Sequence, residues 1–303
     1  MDPDKAFTGS IPALYNKYLG PLIFEPYAAD LSRRVSALSP SRILETAAGT
    51  GVVTKVLDQA QPHNVHIIAS DLNQPMLDFA AQHVPSTRIL WQQADALALP
   101  FGDGAFDVVV CQFGAMFFPD KVKGYSEAFR VLKPGGRFLF NVWDRLEKNE
   151  FTNIASQAIA AFFPDNPPTF MSRTPHSYCD SARISGELKQ AGFQDISFET
   201  VAKESKAPSA REPAIGLCQG TPLRNEIEAR DASRLDEVTR AAQAALEARF
   251  GSGPDCWRAE RHRLHRDKMS AGAASCRRRH PRAKFAFQSI RRQIVGNSGR
   301  SVT

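Results

Sequence analysis

One stretch constrains this chain more than any other: an apolar run that ends in glycines and opens directly into a helical segment. Ile43-Leu44-Glu45-Thr46-Ala47-Ala48-Gly49-Thr50-Gly51 reads as a β-strand, a tight Gly-rich turn and the start of a helix over Val52–Gln59. Glycines in such a turn adopt backbone conformations closed to other residues and let a ligand approach the main chain. The helix that follows offers free N–H groups and the positive end of its dipole. Gly-x-Gly alone is also compatible with a plain tight connection, so the surroundings decide.

Four further short runs, dense in Val, Ile, Leu and Phe and bounded by turn residues, follow at Val65–Ser70, Arg88–Gln93, Phe106–Gln112 and Arg137–Trp143. Such runs fit strands covered on both faces. Helical stretches separate them at Val52–Gln59, Met76–Val84 and Lys121–Leu132, and Leu132-Lys133-Pro134-Gly135-Gly136-Arg137 is a turn feeding the fifth strand. The alternation predicts βαβ units and a parallel sheet in an α/β fold. Residues 11–38 and Phe151–Phe163 read as helical, with a turn-rich break at Pro164–Pro168. Ser181 caps a helix ending near Gly192, and a strand follows at Ile196–Ala202. Ser233 caps Arg234–Phe250, with Gly251 as its C-terminal glycine.

Composition narrows the class. With 303 residues, 43% hydrophobic and 23% charged, the chain has the make-up of a globular protein of one large or two small domains. No apolar run reaches the ~18 residues of a membrane helix; the longest, Phe106–Phe118, contains Asp107 and Gln112. Met1-Asp2-Pro3-Asp4-Lys5 has neither the basic nor the apolar region of a secretory signal. Cys111, Cys179, Cys218, Cys256 and Cys276 show no metal-ligand spacing, which points to a reduced cytoplasmic compartment and to no metal. The net charge of +6 is unevenly spread: residues 252–303 hold eleven Arg and two Lys against three acids, so the rest is mildly acidic. This tail, with Arg277-Arg278-Arg279-His280-Pro281-Arg282, reads as a nucleic-acid or membrane-surface arm, an unstructured extension, or the product of a shifted reading frame.

Several residues fall where ligands bind in open α/β sheets. Asp71 ends the second strand 20 residues past Gly51, placed either to hold two ribose hydroxyls or to cap a helix. Asp95-Ala96 follows the third strand; the carboxylate either accepts an adenine amine or is a solvated loop acid. Gln112 and Phe113 close the fourth strand and line the crevice, while Cys111 reads as a small buried hydrophobe. Met116, Phe117 and Phe118 with Phe113 either wall an apolar pocket or belong to the core. His176 and Tyr178 precede the helix at Ser181; His176 is either a general base or a surface or capping residue. His63, His66 and His83 read as structural or solvated.

Together these residues resemble the class I S-adenosylmethionine (AdoMet)-dependent methyltransferases, of the branch similar to the ubiquinone/menaquinone C-methyltransferases, over residues 11–250. Glu45, Ala47, Gly49 and Gly51 occupy the four positions of the family's acidic, glycine-rich first motif, with Ala47 replacing its first glycine. Asp71 matches the ribose-binding acid, Asp95 with Ala96 the adenine-side pair, and Leu132-Lys133-Pro134-Gly135-Gly136 the turn before the fifth strand. The resemblance implies a Rossmann-like seven-stranded sheet of order 3-2-1-4-5-7-6 with an antiparallel last strand. It implies AdoMet as cofactor and S-adenosylhomocysteine as product, bound by Glu45, Ala47, Gly49, Thr50, Gly51, Asp71, Leu72, Met76, Asp95, Ala96, Gln112 and Phe113, with Tyr15 and Tyr18 helping to close the site. The expected organisation is a helical lid at 1–40, a methyltransferase domain at 41–251 and the basic tail at 252–303. The last strand is expected after the helix at Arg234–Phe250, where the tail begins; Phe285-Ala286-Phe287-Gln288 is a poor substitute, and a sheet lacking that strand has unpaired edges.

The fourth strand ends Cys111-Gln112-Phe113-Gly114, without the Asn-Pro-Pro-Tyr type of signature of enzymes that methylate planar amino groups, and no Pro-Cys nucleophile is present. A small, apolar or aromatic substrate is therefore expected rather than DNA, with His176 and Tyr178 as candidate catalytic groups. One alternative is a nicotinamide-dependent oxidoreductase, for which Thr54 stands where a third glycine belongs. Another is a cofactor-fold protein that binds without catalysis, its tail touching nucleic acid.

Overall fold

The computed structural model describes residues 3–252, 284–285 and 287–291. The five short apolar runs form β1 (Arg42–Thr46), β2 (His66–Asp71), β3 (Ile89–Gln93), β4 (Phe106–Gln112) and β5 (Leu132–Trp143). They pair in the parallel order β3-β2-β1-β4-β5. Successive residues are buried on opposite faces: Ile43, Ile67, Val108, Val110 and Leu139 belong to one core, Leu44, Ile68, Val109, Phe138 and Phe140 to the other. That double burial is the reason the strands read as unbroken apolar runs rather than as alternating ones.

Helices cover both faces. The N-terminal run comprises α1 (Ile11–Leu14), a wide π-type turn over Tyr15–Phe24 that contains Pro21, and α2 (Glu25–Ser36). Proline has no N–H to give the helical ladder, so a locally rewound helix accommodates it. α2 packs with α3 (Val52–Ala60) on one face. The helix α4 (Gln74–His83) links β2 to β3. On the other face lie α5 (Lys121–Val131), α6 (Glu150–Ala160), α7 (Phe170–Arg173), α8 (Ser181–Gln190), α9 (Arg211–Gln219), α10 (Leu223–Asp231) and α11 (Leu235–Phe250). The segment expected to be a separate lid is thus largely core: Leu19, Leu22, Ile23, Phe24 and Tyr27 are buried in it.

Several boundaries move. Asp180, not Ser181, caps α8, its carboxylate accepting from the N–H groups of Ala182 and Arg183 at 2.8 and 3.1 Å. Asp231 accepts from Ser233, so α11 starts at Leu235 without a side-chain cap. The Lys-Pro-Gly-Gly turn lies inside β5 as an irregularity: Phe106 pairs with Leu132, but Val108 already pairs with Arg137. Helices α7, α9 and α10 have no counterpart in the sequence reading.

The last strand is present. Strand β6 (Ser197–Thr200), shorter than Ile196–Ala202, and β9 (Phe287–Arg291) complete the order β3-β2-β1-β4-β5-β9-β6, with β9 antiparallel to both neighbours. Strands β7 (Lys203–Glu204) and β8 (Lys284–Phe285) form a separate pair. Phe287 and Gln288 of the segment judged a poor substitute therefore lie in the penultimate strand, which is held by backbone pairing on both sides. The rest of the tail lies outside the described residues. Deleting residues 252–303 leaves β5 and β6 with unpaired edges, and the expected result is a lower Tm and concentration-dependent aggregation relative to the full chain, read by thermal unfolding and light scattering.

Candidate active site

Parallel, in-register pairing brings the carboxyl ends of β1, β2, β4 and β5 to one edge: Thr46 lies beside Ser70, Asp71 beside Gln93 and Gln112 beside Asn141. Beyond β1 the chain turns with positive φ at Ala47 (54°), Gly49 (55°) and Gly51 (79°). Gly51 must lack a side chain, because a Cβ would lie 3.0 Å from the Trp91 ring and 3.1 Å from the Ala80 methyl in addition to its φ. Ala47 takes a conformation that costs an L-residue about 1–2 kcal/mol. Its methyl is accommodated by Gly114, where an added Cβ would lie 2.4 Å from Ala47 Cβ. The exception to the glycine motif is thus matched by a glycine on the facing loop.

Asp71 locks this turn to β2. One carboxylate oxygen accepts the Gly49 N–H at 2.8 Å, the other the Asn73 N–H at 2.8 Å and the Asn73 side-chain amide at 3.3 Å. The carboxylate is 7% exposed, and burial pushes its pKa up against these hydrogen bonds. The oxygen bound to Gly49 keeps lone-pair capacity for a further donor.

A cavity of about 140 Å³ opens above this edge. Of the expected cofactor residues, Tyr15, Ala47, Gly49, Asp71, Leu72, Met76, Asp95, Ala96, Gln112 and Phe113 line it. Asp95 is exposed and accepts the Leu97 N–H at 2.9 Å. Gly49 has nothing within 4 Å of its missing Cβ, so its main chain is open there. Phe113 holds φ at 51°, fixed by Asn141, whose side-chain oxygen and carbonyl accept its N–H at 2.8 and 3.1 Å. Its ring stacks on Trp143 at 3.6 Å. Asn141, which fixes Phe113, is not among the residues expected at the site; its signal is a lone amide in the apolar run Arg137–Trp143.

Four expected cofactor residues stand off the cavity. Glu45 alternates onto the face of Ile43, under α3, where it is 1% exposed and accepts the Thr54 hydroxyl at 2.6 Å. Burial and the Asp71 charge push its pKa up to about 8. Thr50 and Gly51 are buried inside the turn, and Thr50 Oγ1 has no hydrogen-bond partner among the described residues. Tyr18 turns toward α9, where a Cβ on Gly216 would lie 3.2 Å from its own Cβ, and the Lys17 ammonium sits over its ring at 5.0 Å.

A second cavity, about 60 Å³, shares Phe7, Tyr15, Phe113 and Phe117 with the first. Phe24, Trp143, Phe170, Met171 and Leu217 complete most of its wall, and no charged side chain among the described residues lines it. Phe117 thus belongs to both cavities and Phe118 to the first, while Met116 is core. His176 reaches the second cavity and is 7% exposed. Its Nδ1 lies 2.8 Å from the Asp144 carbonyl oxygen, an acceptor, so Nδ1 carries the proton and Nε2 holds a lone pair. Burial pulls its pKa down to about 4, so the ring is neutral at pH 7. Tyr178 is corrected: its hydroxyl lies 2.9 Å from that of Tyr125 and donates to Glu187, bracing α5 against α8 and lining neither cavity. Cys111 is buried, its thiol pushed up to about 12 by desolvation, in keeping with a core residue.

Residues 44–140 match a methyltransferase domain family. Over this third of the chain the similarity is to methyltransferase domains. A demethylmenaquinone methyltransferase of Deinococcus radiodurans is 42% identical over 105 residues, 34% of this chain and 43% of the relative. Another, from Thermus thermophilus, is 39% identical over 37% of this chain and 54% of its own length. This chain thus spans about half the length of these two relatives. The ubiquinone/menaquinone biosynthesis C-methyltransferase UbiE of Proteus mirabilis is 26% identical over 52% of this chain and 68% of its own. Among solved structures, the cyclase SpnF superposes with a TM-score of 0.52 at 18% identity, over 90% of this chain and 82% of that one. A Haemonchus contortus phosphoethanolamine N-methyltransferase does so with 0.54 at 15%, over 96% and 59%. These two likenesses are of fold.

The family's cofactor fits what the edge presents: an open glycine main chain, a buried carboxylate with spare acceptor capacity, and a cavity between them. Among the described residues no cluster of His, Cys, Asp and Glu is arranged to hold a metal.

Glu45 sets a testable pH dependence. Its pKa rises from 4.5 to about 8 on folding, so between those values the folded chain binds the extra proton and stability falls as pH rises. Wild type should lose several degrees of Tm between pH 6 and 9. Glu45→Gln, neutral and still able to accept from Thr54, should flatten that slope; an unchanged slope refutes the assignment.

Proposed function

We propose that this chain transfers a methyl group from AdoMet to a small, uncharged, planar aromatic molecule whose acceptor atom, carbon or oxygen, becomes nucleophilic as a proton leaves for His176 Nε2. The observation that carries this reading is the second cavity, aromatic-walled and free of charged side chains among the described residues, which adjoins the cofactor cavity through four shared aromatic residues. An anionic ligand would lose its hydration there without a partner. Relatives named as demethylmenaquinone methyltransferases support a ring-bearing acceptor.

In this reading Asp71 accepts from the two ribose hydroxyls and Asp95 from the adenine amine, with Ala96, Leu72 and Met76 against the base. The main chain of Ala47 and Gly49 approaches the amino-acid end. Gln112 and Phe113 stand at the passage to the second cavity, and Tyr15 covers it. The chemistry AdoMet supplies when bound is an electrophilic methyl group on a sulfonium. The protein aligns the acceptor, excludes water and takes up the proton. His176 keeps Nε2 unprotonated across the neutral range, its Nδ1–H fixed on Asp144; as a weak base it takes the proton in step with methyl transfer, when the acceptor group becomes strongly acidic.

Two measurements test the reading. Calorimetry should give micromolar binding of S-adenosylhomocysteine to the full chain. Asp71→Ala should weaken it by about 10²–10⁴-fold, since two hydrogen bonds to a charged acceptor are lost at ~1.5–3 kcal/mol each; equal affinity in the variant rejects the cofactor geometry. Transfer of labelled methyl to a panel of neutral phenols and quinols should exceed transfer to their carboxylated analogues. His176→Asn should lower kcat by about 10²–10⁴-fold with cofactor affinity intact; an unchanged kcat removes His176 from the mechanism.

A further inference from the structure

Five of the side chains that line the second cavity carry polar atoms: Tyr15 and Trp143, whose rings belong to its aromatic wall, and Thr152, His176 and Thr221. Thr221 is already engaged, because its hydroxyl donates to the Leu217 carbonyl at 2.8 Å and accepts the Leu223 N–H at 3.2 Å. His176 has committed Nδ1 to Asp144. Thr152, in the first turn of α6, is 4% exposed, and its hydroxyl has no hydrogen bond to the described residues. Nor is that oxygen sealed off: Thr50 Oγ1, Asn149 Oδ1 and Glu204 Oε1 are the enclosed, unpartnered side-chain atoms among the described residues. Thr152 thus lines the cavity and carries a hydroxyl that is neither enclosed nor engaged by the described residues.

We infer that Thr152 is a specificity-determining residue, its hydroxyl donating to an uncharged oxygen of the aromatic ligand while His176 accepts from another group on the same molecule. The inference rests on the reading that an aromatic ligand occupies this cavity. On the side of α6 the cavity then offers an acceptor, Nε2 of a neutral imidazole, a donor, the Thr152 hydroxyl, and no charge from the described residues. A ligand that satisfies both carries a hydroxyl and a carbonyl, ether or second hydroxyl oxygen. Thr152 fixes which edge of the ring turns away from His176 and hence which ring atom faces the methyl donor. A ligand without the second oxygen leaves the threonine hydroxyl buried and unsatisfied, a penalty of the kind that gives polar sites their discrimination.

The probes are methyl 4-hydroxybenzoate, which has a phenol and a neutral acceptor, and 4-propylphenol, which has the phenol alone. Each is titrated calorimetrically into the full chain saturated with S-adenosylhomocysteine. Wild type should favour the ester over the alkylphenol by about 5–10-fold more than Thr152→Val does, the effect of one hydrogen bond of ~1 kcal/mol. Thr152→Ser should restore the wild-type ratio. Affinity for 4-propylphenol should be no weaker in Thr152→Val than in wild type, because the valine leaves no unsatisfied hydroxyl, and this shows that the cavity is intact; Thr152→Ala serves as a second hydroxyl-free variant. If both probes bind but the ratio is the same with and without the hydroxyl, or if both weaken together, the role of Thr152 is refuted while the aromatic-cavity reading stands. If neither probe binds wild type, the aromatic-cavity reading fails and Thr152 loses its role with it.

Discussion

The site depends on one hydrogen bond, from the Gly49 N–H to the Asp71 carboxylate at 2.8 Å. It joins the turn after β1 to the end of β2, and the Ala48 N–H to Ser70 carbonyl bond at 2.9 Å lies beside it. The turn includes an alanine and two glycines at positive φ, none of which holds itself there. The carboxylate supplies an acceptor to a main-chain donor at the mouth of the cavity and keeps its remaining lone pairs for a ligand. The geometry that shapes the turn and the geometry that receives a ligand are therefore one arrangement.

The parallel sheet was legible because its strands are covered on both faces, which leaves dense apolar runs between turns. Position along a strand end was legible too, so Asp71, Gln112 and Phe113 fall on the cavity as expected. Facing was harder. Glu45 lies in the glycine-rich motif, yet strand alternation sends its side chain under α3 to Thr54. Tyr15 and Tyr18 are three apart in a region read as regular helix, but a π-type turn rewinds it, and only Tyr15 reaches the cavity. Tyr178 sits two residues from His176 and serves a different cluster altogether. Helices α7, α9 and α10 are short, at four to nine residues, and their apolar positions make sense only against the N-terminal helix and α6. The pairing of β9 was invisible for a related reason: strand partners as distant in the chain as Thr200 and Gln288 leave no local pattern.

The two cavities meet at a set of shared aromatic rings. Phe113 is its fixed member, held at positive φ by Asn141 and stacked on Trp143. Tyr15 stacks on Phe24 at 4.7 Å and meets the edge of Phe7 at 5.7 Å. Fixed rings give a reacting pair a defined approach, and a low-dielectric wall strengthens the few polar interactions that remain, such as those of His176.

The insertion of β9 between β5 and β6 gives the sheet a temporal order during synthesis. Strand β6 is made well before β9, its partner in the large sheet, and the stretch from Thr200 to Phe287 must emerge first. At translation rates of ~5–20 residues per second, that interval is on the order of ten seconds. Through it the parallel half, β3-β2-β1-β4-β5, has every one of its own pairings available, while the outer edge of β5 and both edges of β6 wait. The nascent chain is therefore built as a cofactor-binding half that can form early and an antiparallel border that closes late, and the interval is when holdase chaperones would find their exposed strands.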